Sequence, residues 1–194
     1  MTESDFMAGS FFCPEGEPLE EKTVALLKKK KITVATAESC TAGLLSKRIT
    51  NVSGASEIFE CGIVSYANRI KEKLLFAERD KLIRYGAVSA VIAAEMACGV
   101  RKQGDSVIGV GITGIAGPGS DSTDKPVGLV YVALCGGDKV KVKELKIPYR
   151  GENIREYNRY YSSSAALEMI YEYAKVYPDR PEGMTDLTEY ISSF

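Results

Sequence analysis

The chain of 194 residues contains no histidine. That absence removes Ser-His-Asp and Cys-His catalysis and every metal site built on imidazole, so a nucleophile here must pass its proton to lysine, tyrosine or a carboxylate. Nor is there an excess of either charge. Lys plus Arg (25) and Asp plus Glu (26) nearly cancel, which leaves no global field to recruit nucleic acid or an anionic membrane. The basic run Lys28 to Lys31 closes a surface helix and is read as a solvated, dipole-compensating end. The five cysteines (13, 40, 61, 98 and 135) are odd in number and form no Cys-x-x-Cys pair. This argues against a disulfide framework or thiolate zinc site and suits a reduced cytoplasm. No window approaches a membrane span, and the acidic N-terminal "MTESDFMAGSFFCPEG" lacks the basic and apolar regions of a signal peptide.

What is present fits one globular domain. With 45% apolar and 26% charged residues, the chain can bury one sizeable core. Residues 1–17 read as an N-terminal arm, 18–177 as the folded domain and 178–194 as a polar tail. Within the domain, "PLEEKTVALLKKKK" has the charge order of a helix and "ITVAT" is a short β-branched strand. A helix is expected to begin at or just after Ser39. "FECGIVSY" is a second strand, followed by helices at "ANRIKEKLL" and "AVSAVIAAEMACGVRKQG". "SVIGVGIT" is an apolar strand, and after a loop from Ile115 to Pro126 "VGLVYVAL" and "VKVKELKI" form a hairpin across "CGGD". A last helix runs from about Asn153 to Tyr173. Alternation of helices with short apolar strands gives an α/β fold, a mixed sheet covered on both faces.

Several motifs compete for the chemistry. "GVGITG", Gly109 to Gly114, matches G-x-G-x-x-G after a strand, but "IAGPGSDSTDKP" follows where a phosphate-binding helix is required. The dinucleotide reading is rejected. A glycine-rich loop at a strand end remains, with backbone N–H groups and the Thr113 hydroxyl available, against the plainer reading of a tight connection. "STDK", Ser122 to Lys125, mimics a Ser-x-x-Lys pair but lies in a loop, and "YEYAK", Tyr171 to Lys175, reads as helix packing. "TAESCTAGLL" places Ser39 where a strand gives way to a helix. There its Oγ is either a nucleophile, with the Cys40 and Thr41 N–H groups stabilising an oxyanion, or a helix cap. Cys40 is a rival nucleophile, though the position favours a small buried residue. In "YANRIK", Tyr66 and Lys71 fall at the same sheet edge and form a candidate base, against a strand-end aromatic and a solvated lysine.

Taken together, "TAESCTAGLL", "GIVSYANRIK", "GAVS" and "TGIAGPGSDSTDKPVGLVYVAL" resemble the C-terminal domain of the CinA family, which includes nicotinamide-nucleotide amidohydrolases. The motifs run in order from about Pro18 to Tyr173. The resemblance implies a three-layer α/β/α sandwich with a mixed, about five-stranded sheet. It implies hydrolysis of the carboxamide of nicotinamide mononucleotide to nicotinate mononucleotide and ammonia, with neither metal nor cofactor. The family's serine, tyrosine and lysine fall on Ser39, Tyr66 and Lys71, with the Tyr/Lys pair moving the proton. The loop around Thr113, Gly114 and Gly117 would hold the substrate beside Cys40 and Thr41, and Arg155 or Arg150 its phosphate. This chain has "TAGL", with Ala42, where relatives read TGGL. Longer relatives add an N-terminal pyrophosphatase domain, for which the short arm leaves no room. The other reading is a non-catalytic nucleotide-binding or regulatory domain, and retention of Ser39, Tyr66 and Lys71 together favours the enzyme. An apolar helix face and the arm point to a homo-oligomer.

Overall fold

A computed structural model of the chain describes residues 18–120, 124–149 and 151–178. The N-terminal arm, nearly all of the polar tail, Ser122 and Arg150 lie outside the described residues. The elements are α1 Leu19–Lys30, β1 Val34–Glu38, α2 Leu44–Thr50, β2 Phe59–Val64, α3 Asn68–Leu75, α4 Arg79–Tyr85, α5 Ala90–Gln103, β3 Ile108–Gly114, β4 Leu129–Gly136, β5 Lys139–Lys146 and α6 Ile154–Val176. A 3-10 turn covers Ala55–Glu57. Helix α1 carries Glu20 and Glu21 in its first turn and lysines in its last, which complements its dipole. Lys31, at φ 54°, ends it in the left-handed region.

The sheet has strand order β2-β1-β3-β4-β5. Its β2, β1 and β3 strands run parallel, while β4 and β5 return antiparallel. Helices α3, α4 and α5 cover one face, and α1, α2 and α6 the other. This is the three-layer α/β/α sandwich with a mixed sheet. Side chains alternate along β1, so Val34 joins Leu27, Leu45 and Ile170 in one core while Ala35 and Ala37 join Leu75, Ile92 and Met96 in the other. Each fully buried aliphatic chain contributes about 2 kcal/mol relative to exposure.

The glycines of "GVGITG" have a packing cause. A Cβ at Gly109 or Gly111 would strike the backbone of α5 at Ala97 or Ala93, so these positions let the helix settle directly on β3. Some boundaries differ from the sequence expectation. The hairpin turn is Gly137–Asp138 alone, because Cys135 and Gly136 stay paired with Val140 and Lys139. Helix α6 runs on to Val176, and α4 was not foreseen.

Candidate active site

Parallel strands β1, β2 and β3 all end at one edge, where α/β sheets gather ligands. Ser39 follows β1 directly, its N–H bonded to Ile112 O at 2.9 Å. The expected helix start at Ser39 is corrected here: residues 40–43 make a turn, and α2 begins at Leu44. Ser39 is therefore not the helix cap. Ala42 and Gly43 both take left-handed backbone, at φ 51° and 90°, and swing the chain away from the strand. The cap is the carboxylate of Glu38, which is 1% exposed. Its Oε2 accepts from Gly43 N and Leu45 N, both at 3.1 Å, and its Oε1 from Ser46 N at 2.8 Å and Ser46 Oγ at 2.7 Å. An anion thus holds the helix N-terminus and the turn together. Cys40 lies in the core, and burial pushes its thiol up to about 12, so it stays protonated.

Lys71 enters from α3, one turn past β2, and is 1% exposed. Its Nζ donates to Ser39 Oγ at 3.2 Å, Ser65 O at 2.7 Å and Tyr66 O at 3.3 Å. Burial pulls its pKa down to about 8. The two carbonyls can only accept. When the amine is neutral they hold its two N–H groups at Ser65 and Tyr66, which leaves the lone pair facing the serine hydroxyl.

Tyr66 departs from the paired arrangement expected of it. It contributes its carbonyl to Lys71, while its ring is 63% exposed and its hydroxyl accepts from Arg155 Nη2 at 3.4 Å. Arg155 Nη1 also donates to Gly117 O at 2.7 Å, and Gly117 has the positive φ of 93° that its turn requires. Thr113 is buried with its hydroxyl donated to Ala87 O at 2.8 Å, so it is engaged rather than open. Gly114 pairs with Val130, and a Cβ there would meet Leu129 and Val130. Sequence reasoning missed Glu38, Asn158 and Arg159. Asn158 Nδ2 donates to Ala116 O at 3.0 Å, and Arg159 grips Thr41 O through Nε at 3.2 Å and Nη2 at 2.8 Å. The spacing of Arg155 and Arg159, four residues apart on one helix, was the available signal.

The decoys are accounted for. Lys125 donates to Tyr85 O at 2.9 Å and Val88 O at 2.6 Å, and Lys175 to Glu172 at 3.3 Å, so both amines are engaged with acceptors other than a serine or a cofactor. Among the described residues no group of three Cys, Asp or Glu side chains is placed to hold a metal ion, and no helix is long and apolar enough to cross a membrane.

Fold and site define a class: an α/β/α domain presenting a serine against a buried lysine at the carboxyl ends of parallel strands. The chain belongs to the CinA C-terminal domain family, whose model matches residues 16–174. A Clostridium acetobutylicum protein named as competence-damage inducible is 50% identical over 137 residues, 71% of this chain and 33% of that protein. A CinA-like protein of Desulfovibrio desulfuricans is 47% identical over 152 residues, 78% of this chain and 36% of that one. The chain thus spans about a third of the length of these curated relatives. The crystal structure of competence/damage inducible protein CihA from Agrobacterium tumefaciens superposes with a TM-score of 0.73 at 34% identity, covering 83% of this chain and 96% of that one.

Proposed function

We propose that this chain is a serine amidohydrolase that cleaves the carboxamide of nicotinamide mononucleotide, releasing ammonia and nicotinate mononucleotide, as a cytoplasmic homo-oligomer without metal or cofactor. The observation that carries the reading is the buried Lys71 amine 3.2 Å from Ser39 Oγ. Lys71 in its neutral form takes the proton as Ser39 Oγ attacks the carboxamide carbon. The turn after Ser39 supplies the Cys40 and Thr41 N–H groups to the oxyanion. Lys71 then returns its proton to the departing nitrogen, and water releases the acyl group by the same path. Tyr66 and Arg155 form the outer wall, where Arg155 presents a permanent cation to the substrate phosphate. The role of Tyr66 in this scheme is to bind and orient, with Lys71 alone as base.

The test is ammonia release by the full chain from nicotinamide mononucleotide, with nicotinamide as comparison. Ser39→Ala should lower turnover at least about a thousandfold while the circular dichroism spectrum is retained. Cys40→Ala should keep its activity. Because the amine must be neutral to act, the wild-type rate should fall as pH drops below about 8. Absence of ammonia from every carboxamide tried, with nucleotide binding intact, would leave a binding domain. Equal activity in wild type and Ser39→Ala would remove the serine as nucleophile.

A further inference from the structure

Cys98 on α5 and Cys135 on β4 lie apart from the site, with their Sγ atoms 2.8 Å from each other. That is closer than van der Waals contact between two sulfurs. Both are free thiols, Cys135 buried and Cys98 half-buried. The packing around them fixes this approach. Gly109 and Gly111 let α5 press on the neighbouring strand β3, and Ala93, Ala97 and Ala133 fill the same seam with small side chains. Closing the gap from 2.8 Å to a bond of about 2.05 Å needs a shift of less than about an ångström.

We propose that Cys98 and Cys135 form a dithiol modification site, oxidised by a low-molecular-weight disulfide to an intramolecular bond that joins α5 to β4. Cys98, the more exposed, loses its proton and its thiolate attacks the small disulfide. One small thiolate leaves, and Cys98 carries a mixed disulfide. Cys135, deprotonated in turn, attacks the Cys98 sulfur and expels the second small thiol. Two protein thiols are oxidised, one disulfide is reduced to two thiols, and the two protons end on the thiols released.

Burial and the neighbouring Cys135 push the Cys98 thiol up to about 12, so exchange is slow and the pair responds to sustained oxidation rather than to a brief pulse. The bond would close a loop that contains β3 and residues 115–120, and so restrict the unfolded chain. Cys135 pairs with Gly109, near the opposite end of β3 from Ile112, which holds Ser39.

The full chain carrying Cys13→Ser is equilibrated with oxidised glutathione at mildly alkaline pH, alkylated in denaturant, digested and read by mass spectrometry. The expected product links Cys98 to Cys135 alone, with Cys40 and Cys61 alkylated. The thermal midpoint should rise by about 5 °C or more and fall back on reduction. Cys98→Ala, with its fold checked by circular dichroism, should show neither effect. A protein left with both thiols alkylated, a mixed disulfide that goes no further, a different pairing, or a linked protein whose midpoint does not rise overturns the proposal.

Discussion

Lys71 combines a position visible in the sequence with a burial that the sequence left open between a desolvated base and a solvated helix lysine. Its place one turn into the helix after β2 follows from "SYANRIK", but its burial comes with the tertiary packing, in which α5 closes over α3 and Ser39 reaches the amine from the end of β1. Burial is what lowers its pKa from 10.5 to about 8. Between those values the unfolded chain holds a proton that the folded chain has lost, so stability rises with pH across that window. Below it the folded state carries the full cost of a desolvated ammonium. Urea titrations of wild type and Lys71→Met should therefore diverge, the wild type gaining relative to the variant as pH climbs from about 8 to 10.5. A constant difference between the two proteins would mean that Lys71 is not desolvated. The separation of the Tyr66 hydroxyl from Lys71 was not legible in the spacing. A residue at a strand end can send its side chain either way, and only the arrival of Arg155 from α6 gives the hydroxyl a partner.

The turn between β1 and α2 is the element on which the site depends. Sequence reasoning placed the helix at Ser39 because small polar residues there resemble a cap, whereas the carboxylate one residue earlier does the capping. A glutamate closing an apolar strand carries no local mark of that role. Glu38→Gln keeps the shape but loses the charge and turns one acceptor into a donor facing backbone N–H groups. The expected cost is about 2 kcal/mol in urea unfolding, with a larger proportional loss of turnover because Ser39 is released from its position. An unchanged midpoint would show that the turn holds itself. Ala42 explains the glycine of the related motif, since left-handed backbone at φ 51° costs a residue with a Cβ about 1 kcal/mol. Helix α4 was illegible for another reason: seven residues, "RDKLIRY", with no side-chain cap, too short for a periodic pattern.

At the scale of the molecule, the sheet and its two covering layers were readable because the inner strands β1, β3 and β4 are short apolar runs, β5 alternates, and helices α1 and α6 carry charges in dipole order. Strand order, and the contacts that α6 makes with the turn and the loop, were not readable, since they join segments remote in sequence. The Cys98–Cys135 approach belongs with these: no spacing rule connects the residues, and only the seating of α5 over β3 and beside β4 brings them together. The β1–β3 pairing has a consequence in time. Strands β3, β4 and β5 pair in succession along the chain, whereas Ala35 must find Gly109, 109 − 35 = 74 residues away. Closing that loop is the costlier step, so the antiparallel half should gain its protection first. In pulsed hydrogen exchange during refolding, amides of β4 and β5 should become protected before those of β1, and amidase activity should return with β1. Simultaneous protection of all five strands would contradict this order. Ser39 takes one of its anchors, Ile112 O, from that last pairing, so in the proposed scheme a nascent or half-folded chain lacks a fully seated serine and would be silent until the sheet is whole.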